Sequence, residues 1–271
     1  MVGPPHHIHL LPDAAPYACH TPASVPKHWE AEIKRQLDED VQRGVIRPVP
    51  TGEATEWCAR MVVVAKKSGQ PRRTIDYQKL DACCKQENSP HSRTISHGLG
   101  IPAHSYKAVA DMHWGFHQVE LDEESRRQYC RTTMGHCAAG DAYTKRFDNA
   151  IIDLPRKYKC VDDTHLYDTG VEEAFWHVYE FLEVCAKAGV TLKPEKFRFC
   201  QREVDFVGYH LDWDTYRPTE ERLTAIKDFR MPEKPSITNV RSWFDFVTIG
   251  TLPGYCSTHV PLQRSAKEAS M

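Results

Sequence analysis

The chain has 271 residues, 27% of them charged and 41% hydrophobic, a balance that fits a folded domain and excludes a disordered, collagen-like or disulfide-scaffold protein. The net charge of −2 means that a nucleic-acid partner has to be argued from local patches, not from bulk charge. No uncharged apolar run is long enough to span a membrane, and the N-terminus lacks the regions of a secretory signal, so an intracellular protein with no membrane partner is expected.

Residues 1–28 carry six prolines, which deny the backbone a regular ladder, and they predict an extended arm. His6, His7 and His9 in that arm have no Cys or carboxylate at ligand spacing and read as a solvated cluster. Trp29, Ile33, Leu37 and Val41 fall four apart with charges between them, which predicts a helix over 29–43 stopped by Gly44. Two strands follow at 58–66 and 72–80, joined through Ser68, Gly69, Gln70 and Pro71. Residues 83–104 are polar and irregular. Ten cysteines form no CxxC pair and are expected to be reduced.

Residues 106–112 and 116–121 read as strand material around a bend. A helix is predicted over 137–154 on the stripe Tyr143, Phe147, Ile151 and Leu154. Strands at 157–161 and 164–168 flank a turn at Asp162 and Asp163. A helix over 172–188 presents Phe175, Tyr179, Leu182 and Cys185 or Ala186, and further strands occupy 197–211. From 106 onward the order is β-α-β-β-α-β, the ferredoxin-like arrangement. Two more helices, 219–230 and 236–248, begin at the candidate caps Thr219 and Ser236.

In that topology the first and third strands are central neighbours. Asp111 ends the first, and Asp162 and Asp163 precede the third, so the order brings three carboxylates to one region. Like charges so placed repel, and a hard divalent cation offsets the repulsion while leaving positions open for phosphate oxygens. Residues 60–79 hold six basic side chains (Arg60, Lys66, Lys67, Arg72, Arg73 and Lys79) against Asp76 alone, a patch suited to phosphate.

These segments resemble the reverse transcriptase of gypsy-type LTR retrotransposons. The resemblance runs from about residue 27 to 250 through EIKRQLDEDVQRGVIRPV, MVVVAKKSGQPRRTIDYQKL, VADMHWGFHQVELDEESRR, MGHCAAGDAYTKRFDNAI, KCVDDTHLYD and GVTLKPEKFRFCQREVDFVGYHLDW. It implies an α+β right hand: an arm at 1–28, fingers at 29–105, a ferredoxin-like palm at 106–211, and a partial thumb with a degenerate tail at 212–271. It implies an RNA-directed DNA polymerase acting on RNA or DNA template–primer and deoxynucleoside triphosphates with Mg²⁺ or Mn²⁺. Asp111, Asp162 and Asp163 match the metal-binding aspartates, with Cys160 replacing the tyrosine of the Tyr-Val-Asp-Asp box. Arg72, helped by Lys66 or Lys67, matches the triphosphate-binding arginine. Phe116 matches the aromatic gate beneath the sugar, and Met134 with Gly135 the segment beneath the templating pair. Phe206, Val207, Gly208 and Tyr209 match the primer grip, and Lys196 lies near the lysine that protonates pyrophosphate. Basic residues at 126–127, 145–146 and 156–159 are candidates for template–primer phosphates.

The chain also departs from that family. Between Arg127 and Met134 a stretch of about one strand and its turn is missing, and His165 stands where an apolar residue is usual. Asp245 and the tail after Gly250 differ from the expected thumb, and RNase H, integrase, protease and zinc-knuckle segments have no counterpart in these residues. The alternative reading is therefore a catalytically inactive remnant that retains nucleic-acid binding. An RNA-recognition module shares the strand order, but its aromatic consensus is not found.

Overall fold

The computed structural model describes residues 1–21, 23–66, 68–85, 101–126 and 128–227. Lys67, Arg127, the helix expected at 236–248 and the tail lie outside the described residues. Two compact units emerge, one from residues 1–85, 110–155 and 176–197 and one from 101–109, 156–175 and 198–227. Among the described residues, no helix is long and apolar enough to cross a membrane.

In the first unit, α1 (Glu30–Gln42) buries Ile33 and Asp40, whereas Val41, expected on the inner stripe, is exposed. β1 (Arg60–Ala65) and β2 (Pro71–Asp76) pair antiparallel from Arg60↔Asp76 to Ala65↔Pro71. Their loop closes because Gly69 takes φ 78°, and the Lys66 amide donates to the Gln70 carbonyl at 2.8 Å. A short helix, α2 (Gln78–Asp81), follows. Residues 116–118, expected as strand, instead form a 3-10 turn over Gly115–Gln118. Gly115 is the reason: a Cβ there would stand 2.9 Å from the Tyr143 ring, so only glycine lets the chain turn this tightly. The helix α3 (Ala139–Ala150) buries Tyr143 and Phe147, and Ile151 and Leu154 continue the same apolar stripe.

The proline-rich arm is held down by single bonds between its prolines. Its His6 amide donates to the Glu120 carbonyl at 2.7 Å, and the Leu11 amide donates to Cys83 at 2.8 Å. His7 contributes a 2.6 Å ring-nitrogen contact to Asp122.

The second unit contains the four-stranded sheet, ordered β4-β5-β3-β6. Its strands are β3 (Tyr106–Asp111), β4 (Lys157–Cys160), β5 (Asp163–Asp168) and β6 (Arg198–Gln201). With α3 between β3 and β4, and α4 (Val171–Lys187) between β5 and β6, the ferredoxin-like order holds. β3 crosses the boundary: Lys107 and Val109 pair with Gln201 and Arg198, and Ala110 and Asp111 belong to the first unit.

The buried stripe of α4 is Ala174, Val178, Phe181 and Cys185, not the expected Phe175, Tyr179 and Leu182, which are exposed. Both stripes are apolar, and the buried one begins and ends in small residues that permit close packing.

Beyond β6 a second sheet forms from β7 (Val204–Phe206), β8 (Tyr209–Leu211) and β9 (Tyr216–Pro218). β9 escapes sequence reading because it is three residues long beside a turn. Val204, Phe206 and Leu211 make a core that meets Val109, Tyr158 and Cys160. Helix α5 (Glu220–Lys227) follows.

His165 on β5 is fully buried beside Phe206, with ring centroids 5.2 Å apart, and neither ring nitrogen has a hydrogen-bond partner among the described residues. Burial, with a smaller contribution from Lys107, pushes its pKa down to about 3. The imidazole stays neutral in the folded state and titrates near 6.5 once unfolded. Its destabilising linkage is absent above pH ~6.5 and grows as pH falls toward ~3, reaching on the order of 4 kcal/mol. His165→Leu should stabilise the chain by about 1–2 kcal/mol at pH 7, by removing the unsatisfied nitrogens, and by more at pH 4.5. Urea unfolding at the two pH values checks this; a gain no larger at pH 4.5 would contradict the assignment.

Candidate active site

Asp111 is 6% exposed, and a carboxylate so deep in protein needs a positive partner. Two lysines provide it. Lys193 donates to Oδ1, and Lys196 donates to Oδ2 at 2.6 Å. Burial pushes the Asp111 carboxyl up, but the hydrogen bonds from Lys193 and Lys196 outweigh it and hold the group below the usual carboxylate range. The lysines arrive because the chain after α4 runs back along residues 111–113. The Lys193 amide donates to the Asp111 carbonyl and the His113 amide to the Thr191 carbonyl, both at 2.9 Å. Gln118 clamps the crossing: its Nε2 donates to His113 at 2.7 Å and to Thr191 at 2.9 Å, and its Oε1 accepts from the Thr191 amide at 3.0 Å.

In the second unit, β4 and β5 form a hairpin whose last pair is Cys160↔Asp163. Asp163, expected in the turn, is the first residue of β5, and Val161 and Asp162 alone make the turn. Val161 takes φ 53°, a left-handed conformation that a β-branched residue rarely adopts. Asp162 therefore sits at the hairpin tip, with its neighbour anchored in the strand.

The residues expected to bind the nucleotide all lie in the first unit. Arg72 on β2 reaches the sulfur of Met134. Gly135, at φ 107°, lies so close to β2 that a Cβ would approach the Ile75 carbonyl oxygen to 2.9 Å. Lys66 stands exposed beside the hairpin loop. Phe116 is half-buried, edge-to-face on Tyr143 at 5.9 Å, and its carbonyl accepts from the Thr132 hydroxyl and from the Val119 amide at 3.1 Å.

The β7–β8 turn is Val207–Gly208, both with positive φ (49° and 79°), as a two-residue hairpin turn of type I′ requires. Phe206 points into the core, and Tyr209 lies under the Arg222 guanidinium at 4.4 Å. Of the other basic residues, Arg156 is committed to buried Asp168, and Arg146 to the Pro4 carbonyl.

The chain is 26% identical over 221 residues to the retrovirus-related Pol polyprotein from transposon 297 of Drosophila melanogaster, covering 76% of this chain and 21% of that polyprotein. It is 22% identical over 230 residues to the Pol polyprotein from transposon gypsy of the same organism, covering 78% and 22%. The enzymatic polyprotein of cauliflower mosaic virus (strain D/H) is 23% identical over 257 residues, 88% of this chain and 37% of that protein. A solved foamy viral protease-reverse transcriptase dRH in complex with double-stranded DNA shares the fold at TM-score 0.78, with 16% identity, over 91% of this chain and 44% of that one. Foamy viral protease-reverse transcriptase in complex with an RNA/DNA hybrid gives TM-score 0.75 at 16% identity, over 91% and 34%. No protein-family model matches the chain. The chain is similar to Pol polyproteins of transposons and shares its fold with solved foamy viral protease-reverse transcriptases. It has their α+β right-hand fold, and it spans about a fifth of the two Drosophila polyproteins.

Within this reverse transcriptase fold, two structural partners escaped sequence reading. Lys193 was signalled only by lying three residues before Lys196 in KPEKF. Arg73 was grouped with Arg72 in the basic patch, yet it turns away and donates to buried Asp40 on α1. Strand alternation separates the two arginines: adjacent residues face opposite sides of β2. Arg73→Ala should destabilise the chain by about 3 kcal/mol, because it strands a buried carboxylate. Arg72→Ala should change stability by less than about 0.5 kcal/mol. Denaturant unfolding of both variants checks the contrast.

Proposed function

We propose that the chain is the polymerase core of an RNA-directed DNA polymerase, which adds a deoxynucleotide to a primer 3′-hydroxyl on an RNA or DNA template. The observation that carries this reading is topological. β3 ends on Asp111 and β5 begins on Asp163, and these strands are neighbours in the sheet order. In this reading residues 29–105 are fingers, 106–211 palm, and the thumb starts at 212.

The donor set is carboxylate oxygen throughout, which suits hard cations such as Mg²⁺ or Mn²⁺. Asp111 and Asp162 are the ligands, with Asp163 as their acidic neighbour. When bound, such ions offset the charge that builds on the attacking and leaving oxygens. The chain's own side chains supply positioning. Arg72 forks onto triphosphate oxygens and Lys66 adds a point charge. Phe116 packs beneath the sugar and leaves no room for a 2′-hydroxyl. Met134 and Gly135 support the templating pair, and the Phe206–Tyr209 hairpin holds the primer end. The primer hydroxyl gives its proton to solvent and its oxygen bonds to the α-phosphorus as the bond to pyrophosphate breaks, and Lys196 carries the proton that pyrophosphate takes.

One observation favours a second reading, an inactive remnant that binds nucleic acid. Asp111 already has two cationic partners in Lys193 and Lys196, so its charge is compensated without a metal. Primer extension on an RNA template with Mg²⁺ or Mn²⁺ separates the two. The polymerase reading expects extension that falls at least ~100-fold in Asp162→Asn. Equal background signal from both proteins leaves the remnant. If extension is found, Phe116→Ala should raise incorporation of ribonucleotides relative to deoxynucleotides; an unchanged ratio removes the sugar-gate role from Phe116.

A further inference from the structure

Four metal-ligand side chains that the polymerase chemistry does not use converge inside the first unit. They are Asp81, Cys84, His136 and Cys137, and one ligand atom from each lies within 4.8 Å of all the others. Asp81 ends α2, and Cys84 follows it by one turn of chain, with its amide donating to the Asp81 carbonyl at 3.2 Å. His136 and Cys137 directly precede α3.

The local geometry already draws these groups together. His136 Nδ1 stands 2.7 Å from Asp81 Oδ1 and 3.8 Å from the Cys137 sulfur, and the Cys137 amide donates to Asp81 Oδ1 at 3.1 Å. The His136 side chain is 3% exposed, and its Nε2 has no partner among the described residues. All its polar commitment is therefore on the Nδ1 side, facing the carboxylate and the sulfurs. Ligand atoms of a tetrahedral zinc centre, at ~2.0–2.3 Å from the ion, stand roughly 3.3–3.8 Å apart. The farther pairs, at up to 4.8 Å, close by about 1 Å and the His136–Asp81 pair opens from 2.7 Å to make such a shell. Two sulfurs and an imidazole are a soft set that selects zinc over magnesium or calcium. Asp81 and Cys137 are both partly exposed and give the ion a way in.

We propose that Asp81, Cys84, His136 and Cys137 bind one zinc ion as a structural centre. The centre ties the start of α3 to the chain after β2, and so fixes Met134 and Gly135, which lie two residues and one residue before His136, against β2. In the absence of an ion, burial holds the Cys84 thiol up at about 12 and the Cys137 thiol up at about 11. Zinc binding releases both thiol protons to solvent and leaves the imidazole neutral. The proposal stands whether or not the chain polymerises DNA.

The test uses the full chain, reduced and stripped with a chelator, then titrated with Co²⁺ and Zn²⁺. The expected result is one equivalent of Co²⁺ with the intense visible bands of a tetrahedral site and a thiolate charge-transfer band, displaced by Zn²⁺. Zinc should also raise the unfolding temperature. Cys84→Ser and Cys137→Ser should each weaken binding ~100-fold or more, beyond what loss of an outer partner costs, whereas Cys83→Ser should bind as wild type. If either variant fails to fold, alkylation mapping of the wild-type chain decides: Zn²⁺ should protect Cys84 and Cys137 and leave Cys19 and Cys83 reactive. Absence of stoichiometric binding, protection at other thiols, zinc binding without a rise in unfolding temperature, or a Cys84–Cys137 disulfide with no metal affinity would each overturn the proposal.

Discussion

A carboxylate almost wholly out of water is tolerable only when its charge is met, and at Asp111 this requirement organises much of the first unit. The chain after α4 has to run back along residues 111–113 for Lys193 and Lys196 to reach both carboxylate oxygens. Gln118 has to be at hand to bind both sides of that crossing. Gln118 is in turn the last residue of the 3-10 turn that carries Phe116, and that turn needs Gly115 because Tyr143 leaves no space for a Cβ. Charge compensation at one residue is thus linked, contact by contact, to the placement of the aromatic ring proposed to lie beneath the sugar.

A second constraint is conformational. The β4–β5 and β7–β8 turns each have two residues, and in each the first is a valine with positive φ: Val161 at 53° and Val207 at 49°. A β-branched side chain in that region costs of order 1–3 kcal/mol and persists only where the surroundings over-determine it. At Val207 the surroundings are visible: Gly208 completes the turn, Phe206 is buried, and Arg222 donates to the Val207 carbonyl at 3.4 Å. At Val161 the ladder from Lys157↔Leu166 to Cys160↔Asp163 holds the turn. The strain falls on the two hairpins that the proposed chemistry assigns to the catalytic carboxylates and the primer end.

Sequence periodicity sufficed where one apolar stripe stood alone. Tyr143, Phe147, Ile151 and Leu154 had no rival stripe and proved to be core. The β-α-β-β-α-β order was legible because strand-like flanks and amphipathic helices alternate cleanly. Periodicity failed on α4, where two apolar stripes lie about one residue apart and share Cys185, and only the small Ala174 distinguishes the buried one. It could not separate Arg72 from Arg73, since their partners, Met134 and Asp40, are remote in sequence. The Asp81, Cys84, His136 and Cys137 cluster was invisible for a related reason. Its cysteines make no CxxC pair, and only the fold joins the end of α2 to the start of α3.

The stretch from 128 to 134, which the resemblance reads as shortened, bears on both functional readings. A missing strand threatens to leave a ladder edge unpaired and to let α3 slip. Among the described residues, the remaining segment is bonded on both flanks. On one side the Arg47 amide donates to the Gln128 carbonyl at 2.8 Å and the Cys130 amide to the Val45 carbonyl at 2.9 Å. On the other, the Leu121 amide donates to Cys130 and the Thr132 amide to Val119, both at 2.9 Å. The segment then passes directly to Met134, Gly135 and the four-ligand cluster. These bonds give the stretch a fixed register on both sides. What weighs against turnover is Asp111, where two flexible ammonium groups occupy the oxygens that a divalent ion would need. Metal and lysines compete for the same lone pairs, so a polymerase of this sequence has to release Lys193 and Lys196 from Asp111 each time it loads an ion there. A remnant has no reason to release them.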